Sequence, residues 1–302
     1  MNLDRAALSD LHRHLDGSMR RSTIEELAAA RGLAVPDDLL FYPGMGLAAA
    51  LDRFKFTLAL LQNAAWVRRV AAEICEDAAA EGVTTLEIRF APQFHRGAPI
   101  DVIVDAALDG VAGRAGIIFC GLYGDPPELF DELVRVAAGR AGVVGIDLAG
   151  APGSSPQWSM REYAPAFKRA ADLGIGRTVH AGEGWPPREI LTAIEELHAT
   201  RIGHGTTLLD DPRVVDLVLQ RRVTIEACPT SNWQIGAIPS LSSHPLARWI
   251  DAGVRACINT DNTFFSATNA REEHRRALNL EGMDAARLER AIACGHAAAF
   301  RR

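Results

Sequence analysis

Two rhythms of apolar and polar residues alternate along this chain. Short runs rich in aliphatic and β-branched residues recur at 7–14, 84–92, 115–123, 142–150, 174–182, 199–205, 222–229 and 253–261. Alanine- and leucine-rich stretches with helical spacing lie between them, at 66–81, 127–140, 160–173, 187–198, 211–221 and 244–252. Eight strands alternating with helices predict a parallel α/β architecture, and eight repeats point to a closed (β/α)8 TIM barrel more than to an open doubly wound sheet. No Pro/Ser-rich linker, close repeat or low-complexity segment divides the chain, so 1–302 reads as one domain. The stretch from about 18 to 65 follows the first strand as a helical insertion. Within it Leu51, Phe54, Leu58 and Leu61 recur at helical spacing, the ordinary mark of a core-facing helix.

Polar residues fall at the strand ends. His12 and His14 close the first strand, His180 the fifth, His204 the sixth and Asp261 the eighth. In a barrel those carboxyl ends share one rim, where its chemistry is built. Residues two apart on a strand project to one face, so His12 and His14 offer two imidazoles together while Arg13 points away. Such a pair alone is a weak signal, equally at home in a solvated turn. A third imidazole at His180, with Asp261, completes a nitrogen and oxygen set suited to Zn2+ that leaves room for water. Water on such an ion has a pKa of about 7, far below that of bulk water. His204 lies between two glycines, as a further ligand, a base or simply a turn residue, and Glu183 follows His180 in a glycine-bounded loop.

Composition narrows the partners. The chain has 302 residues, 48% hydrophobic and 23% charged, enough to bury a large core. Its formal charge is −6 and it has no dense Lys/Arg block, which argues against nucleic acid or an anionic membrane surface and for a small ligand. Five scattered cysteines without C-x-x-C spacing suggest neither a disulfide framework nor a cysteine zinc site. With no leader-like N-terminus and no apolar run long enough to span a bilayer, a soluble cytoplasmic protein is expected. Oligomeric state is not legible.

The segments "DLHRHLDGSMR", "LEIRFAP", "GIDLAG", "TVHAGE", "RIGHG", "CPTSN", "SLSSHPL" and "INTD" occur in this order over nearly the whole chain. Together they resemble the adenosine deaminase family of the amidohydrolase superfamily. The resemblance implies a barrel enzyme with one Zn2+ per subunit that hydrolyses the exocyclic amine of a purine nucleoside to a carbonyl, releasing ammonia. It implies that His12, His14, His180 and Asp261 hold zinc and that Glu183 protonates the ring nitrogen beside the attacked carbon. His204 would orient and deprotonate the water and stabilise the developing alkoxide, with Asp261 sharing the orienting role. Gly150 would present its backbone N–H to another purine nitrogen, Asp16 would contact a sugar hydroxyl, and the 18–65 insertion would help roof the pocket at its mouth. The separate H-x-E with P-C-x-x-C deaminase solution is absent, since in "ACPTSN" the cysteine precedes the proline.

The chain departs from the family where substrate is read. Asn262 stands where most members carry a second Asp facing purine N7. N7 is an acceptor, so an aspartate there needs a proton to bond it, whereas an amide already has a donor. The amide can also turn its oxygen inward, which leaves the substrate open among adenosine, a 5′-modified adenosine, a free aminopurine or another aminated heterocycle. Ala151-Pro152 replace the acidic residues that often follow Gly150. A metal hydrolase of amides or esters would leave Glu183 without a job. A silent nucleoside-binding protein is disfavoured by the intact metal and proton-transfer positions.

Overall fold

The computed structural model describes residues 2–152 and 157–300. Eight strands appear where the apolar runs predict them: β1 (Leu8–His14), β2 (Val83–Phe90), β3 (Gly116–Leu122), β4 (Val143–Ala149), β5 (Gly176–Ala181), β6 (Arg201–His204), β7 (Thr224–Ala227) and β8 (Arg255–Ile258). Neighbours pair in parallel in chain order, and the sheet curls into a (β/α)8 TIM barrel rather than lying open. The ring closes through the residues of interest. Arg13 and Asp261 form a parallel bridge, the Asp261 N–H donates to the His12 carbonyl at 2.7 Å, and the His14 N–H donates to the Asp261 carbonyl at 2.8 Å. Several strands are shorter than their apolar runs because the outermost residues of each run turn into the loops.

Three α-helices separate β1 from β2: α1 (Arg21–Ala30), α2 (Leu47–Leu60) and α3 (Ala64–Ala80), the last capped by the Asn63 side chain accepting from the Ala65 N–H. The expected helix 160–173 divides into a 3-10 turn at Met160–Tyr163 and a helix at Ala164–Asp172, with Pro165 accommodated in the first turn of the helix. Pro186 and Pro187 precede the helix Arg188–Glu195, as their fixed φ favours. The α2 stripe splits by burial. Thr57 and Leu60 are buried, while Leu51, Phe54 and Leu58 are half-buried along the cavity at the barrel mouth. Leu61, just past the helix end, is fully buried.

At the opposite end the floor is plugged. The Phe300 ring stacks 3.6 Å from the Arg201 guanidinium, against Gly145 and Gly176, where an added Cβ would fall 2.8 and 2.2 Å from the ring. Arg201 lies between Glu87 at 2.5 Å and Glu226 at 2.6 Å. Among the described residues no helix is long and apolar enough to cross a membrane. All five cysteines are free thiols.

Candidate active site

The strand ends bring the histidines together at the rim. His12 Nε2 lies 3.3 Å from His14 Nε2 and 3.6 Å from Asp261 Oδ1, and His14 Nε2 lies 3.4 Å from the same oxygen. Ligand atoms of His12, His180 and His204, and of His12, His14 and Asp261, each gather within 4.8 Å. Burial holds the His12 and His14 imidazoles well below the usual range, so both are neutral with lone pairs to offer. Facing lone pairs in a dry pocket repel one another unless a cation lies between them. The nitrogen and oxygen donor set therefore fits a divalent ion of zinc's preferences.

The ligand orientations are set by carboxylates that the sequence reading missed. His12 Nδ1 donates to Glu226 Oε2 at 2.7 Å, and His180 Nδ1 donates to Asp147 Oδ1 at 3.1 Å, which turns each Nε2 toward the rim. Burial alone would lower His180, but the Asp147 carboxylate raises it. Arg89 ties the two acids together, at 2.8 Å from each. Ser231 Oγ donates to Asp261 Oδ2 at 2.5 Å. Asp147 in "GIDLAG" and Glu226 in "TIEAC" are single acids inside apolar strand runs. A lone charge inside a buried strand was the available signal, because it needs a partner across the barrel.

His204 and Asp261 adopt left-handed backbone, at φ 68° and 61°. Such conformations cost a non-glycine residue about 1–3 kcal/mol and collect at functional sites. Gly203 is required beside them, since a Cβ there would fall 2.9 Å from His12 Cε1.

Glu183 is buried beside this cluster, its Oε1 3.3 Å from His204 Nδ1, and burial pushes its carboxyl up to about 8. Asp261 is pushed up to about 6, again by burial. His14, His180, Glu183, His204, Asp261 and Asn262 line one cavity with Gly150, and Phe41, Leu47, Leu51 and Phe54 wall it apolarly. Gly150 sits at φ 86°, open to a side-chain-free approach. Asn262 packs on Gly17, where a Cβ would fall 1.8 Å from its Oδ1, and that oxygen is buried without a hydrogen-bond partner.

Asp16 does not line this first cavity. It lines an adjoining compartment that shares His14, Leu51, Phe54 and Gly150 with it. Asp16 Oδ1 is buried without a partner, and burial pushes the carboxyl up to about 7. The rest of this compartment is mainly apolar, with Leu58, Phe94 and Leu122 on its walls. Trp185 is 37% exposed and lines neither space.

Such an arrangement can hold a cation, a water and a proton donor around one planar ring. The family model for adenosine deaminase matches residues 8–301. The adenosine deaminase of Vibrio cholerae is 35% identical over 97% of this chain and 93% of its own length. Among solved structures, adenine deaminase from Arthrobacter aurescens superimposes with a TM-score of 0.88 at 25% identity, covering 98% of this chain and 94% of its own. An amidohydrolase from Burkholderia ambifaria with bound Zn shares the fold at a TM-score of 0.88 and 23% identity, over 99% of this chain and 87% of its own. This chain belongs to the adenosine deaminase family, hydrolases that act on the C–N bonds of cyclic amidines.

Proposed function

We propose that this chain deaminates an adenosine-like nucleoside hydrolytically, with one zinc ion held by His12, His14, His180 and Asp261. The carrying observation is Glu183: a carboxyl pushed up to about 8 by burial, lining the same cavity as His14, His180 and Asp261. Bound by those four side chains, zinc supplies a water acidified to a pKa of about 7, hence a nucleophile at neutral pH.

The chain's own groups handle the protons. Adding oxygen to the amine-bearing carbon pushes an electron pair onto the neighbouring ring nitrogen, and Glu183, still protonated near neutrality, delivers its proton there. A base at the rim, His204 or Asp261, takes the proton that the water releases. On collapse that proton leaves with the amine as ammonia, the hydroxyl proton returns to Glu183, and a carbonyl remains. Phe41, Leu47 and Phe54 keep bulk water from competing for Glu183.

The adjoining compartment supports a nucleoside over a nucleotide. Among its described lining residues Lys55 is the one cation besides histidine, and it is largely exposed and 2.5 Å from Asp52. Asp16 and the apolar walls offer a sugar hydroxyl an acceptor and a 5′-phosphate no counter-charge beyond the already paired Lys55. A free aminopurine is the second reading, favoured by the Arthrobacter adenine deaminase and by Asn262 at the purine edge.

Ammonia release by wild type and Glu183→Gln tests the reading, on adenine, adenosine and 5′-modified adenosines with zinc measured in the same samples. The variant should keep its zinc and lose at least about 100-fold in kcat, the usual scale for a positioned acid. Near-normal turnover by the variant, or zinc-loaded wild type inert on every purine, would overturn it.

A further inference from the structure

The motifs "CPTSN" and "SLSSHPL" carry family resemblance, yet metal binding and the Glu183 acid give Asn232 and His244 no task. Both are buried, and they form a single line of hydrogen bonds ending at His204. The Leu246 N–H donates to His244 Nδ1 at 3.2 Å, which leaves the proton of neutral His244 on Nε2. That Nε2 lies 3.3 Å from Asn232 Oδ1, so the amide oxygen accepts there. With its oxygen so placed, Asn232 turns its NH2 to His204 Nδ1 at 2.9 Å. An amide nitrogen can only donate, so His204 Nδ1 must accept and the ring's proton sits on Nε2. His204 Nε2 is buried without a partner and its ring centroid lies 4.9 Å from that of His12.

We propose that Asn232 and His244 are positioning residues that lock His204 with its proton on Nε2, making it a hydrogen-bond donor to the oxygen that adds to the substrate. The backbone N–H of Leu246 cannot exchange roles with an acceptor, so it sets the direction of the whole relay. A proton already on Nε2 prevents His204 from taking the one that water releases. Asp261 is then its acceptor, and on collapse it returns that proton to the departing amine. Meanwhile the His204 N–H stabilises charge growing on the added oxygen, in the manner of an oxyanion donor. Glu183, 3.3 Å from His204 Nδ1, faces a nitrogen that carries no proton in this tautomer and so receives no hydrogen bond from it.

The inference rests on the proposed deamination only for the identity of the added oxygen; the tautomer itself is a property of the resting protein. Nitrogen-15 NMR of the imidazole rings in the zinc-loaded protein, with His204 assigned by its absence in His204→Gln, reads that tautomer without turnover. The expected spectrum shows His204 protonated on Nε2 and bare on Nδ1. In Asn232→Asp, a carboxylate accepts from Nδ1, so the ring should invert and kcat should fall roughly 100-fold or more with KM little changed. His244→Gln retains a donor toward Asn232 and should preserve the wild-type tautomer, whereas His244→Leu should give a mixture. A wild-type His204 protonated on Nδ1 or on both nitrogens would overturn the proposal. So would an inverted Asn232→Asp ring with wild-type kcat. Should a variant fail to fold, the wild-type spectrum decides alone.

Discussion

The two ends of the barrel both bury charge, and they treat it differently. At the floor Arg201 is held between Glu87 and Glu226 and covered by Phe300, while the Phe300 N–H donates to Glu87 at 2.6 Å. At the rim Asp16 Oδ1, Asn262 Oδ1 and His204 Nε2 are buried without partners, and the Asp16 and Glu183 carboxyls are pushed up to about 7 and 8 by burial. The floor pairs its charges, whereas the rim leaves polar atoms unpartnered. Glu226 joins the two ends, with one oxygen toward Arg201 and the other on His12. The ligand geometry at the rim is therefore anchored in the floor.

The largest effect is expected from removing the cation of the floor. Arg201→Ala leaves Glu87 without its cation and Glu226 with Arg89 alone, and should cost about 3–5 kcal/mol in a urea unfolding titration, as for other buried pairs that lose one partner. A loss under about 1 kcal/mol would mean that the floor is not held by this pair. A smaller effect is expected one layer up. Asp147→Asn keeps the shape but weakens the acceptor behind His180, and zinc affinity, measured by competition with a chelator, should fall about 10–100-fold. Unchanged affinity would detach Asp147 from the metal site.

Acidity at the rim gives the next test. The Glu183 carboxyl rises from an ordinary value of 4.5 to about 8, so the folded protein binds that proton more tightly than the unfolded chain does. Its stabilising contribution is whole below about pH 4.5 and fades as pH rises through about 8. Catalysis uses the same proton, so kcat/KM should decline about tenfold per pH unit above about 8. A flat profile from pH 7 to 10 would remove Glu183 as the acid. The smallest effect is expected at Asn262. Replacing purine N7 by carbon should lower kcat/KM by about 2–12-fold, the worth of one neutral hydrogen bond of about 0.5–1.5 kcal/mol. Equal rates would show that Asn262 does not read N7.

The rim was more legible in sequence than what supports it. Strand-end histidines announce themselves because H-x-H, H-A-G-E and G-H-G stand at the close of apolar runs. Asp147 and Glu226 look like interruptions of such runs, and their partners, His180 and His12, are fixed only by the register of strands far apart in sequence. The α2 stripe was legible as a helix from its spacing, which is the same for core and cavity wall in Leu51, Phe54 and Leu58; only the family resemblance pointed to the pocket roof. Asp16 follows the first strand closely, yet only the folded chain places it in the second compartment, apart from Glu183. The Leu246 N–H at the root of the His204 relay leaves no trace in side-chain identity.

Anomalous diffraction at the zinc edge from zinc-loaded crystals tests the metal assignment most directly. One peak per chain is expected, in contact with His12, His14, His180 and Asp261, and lost in His180→Ala. No peak at the rim, or a peak that survives that substitution, would contradict a zinc centre built from these four side chains.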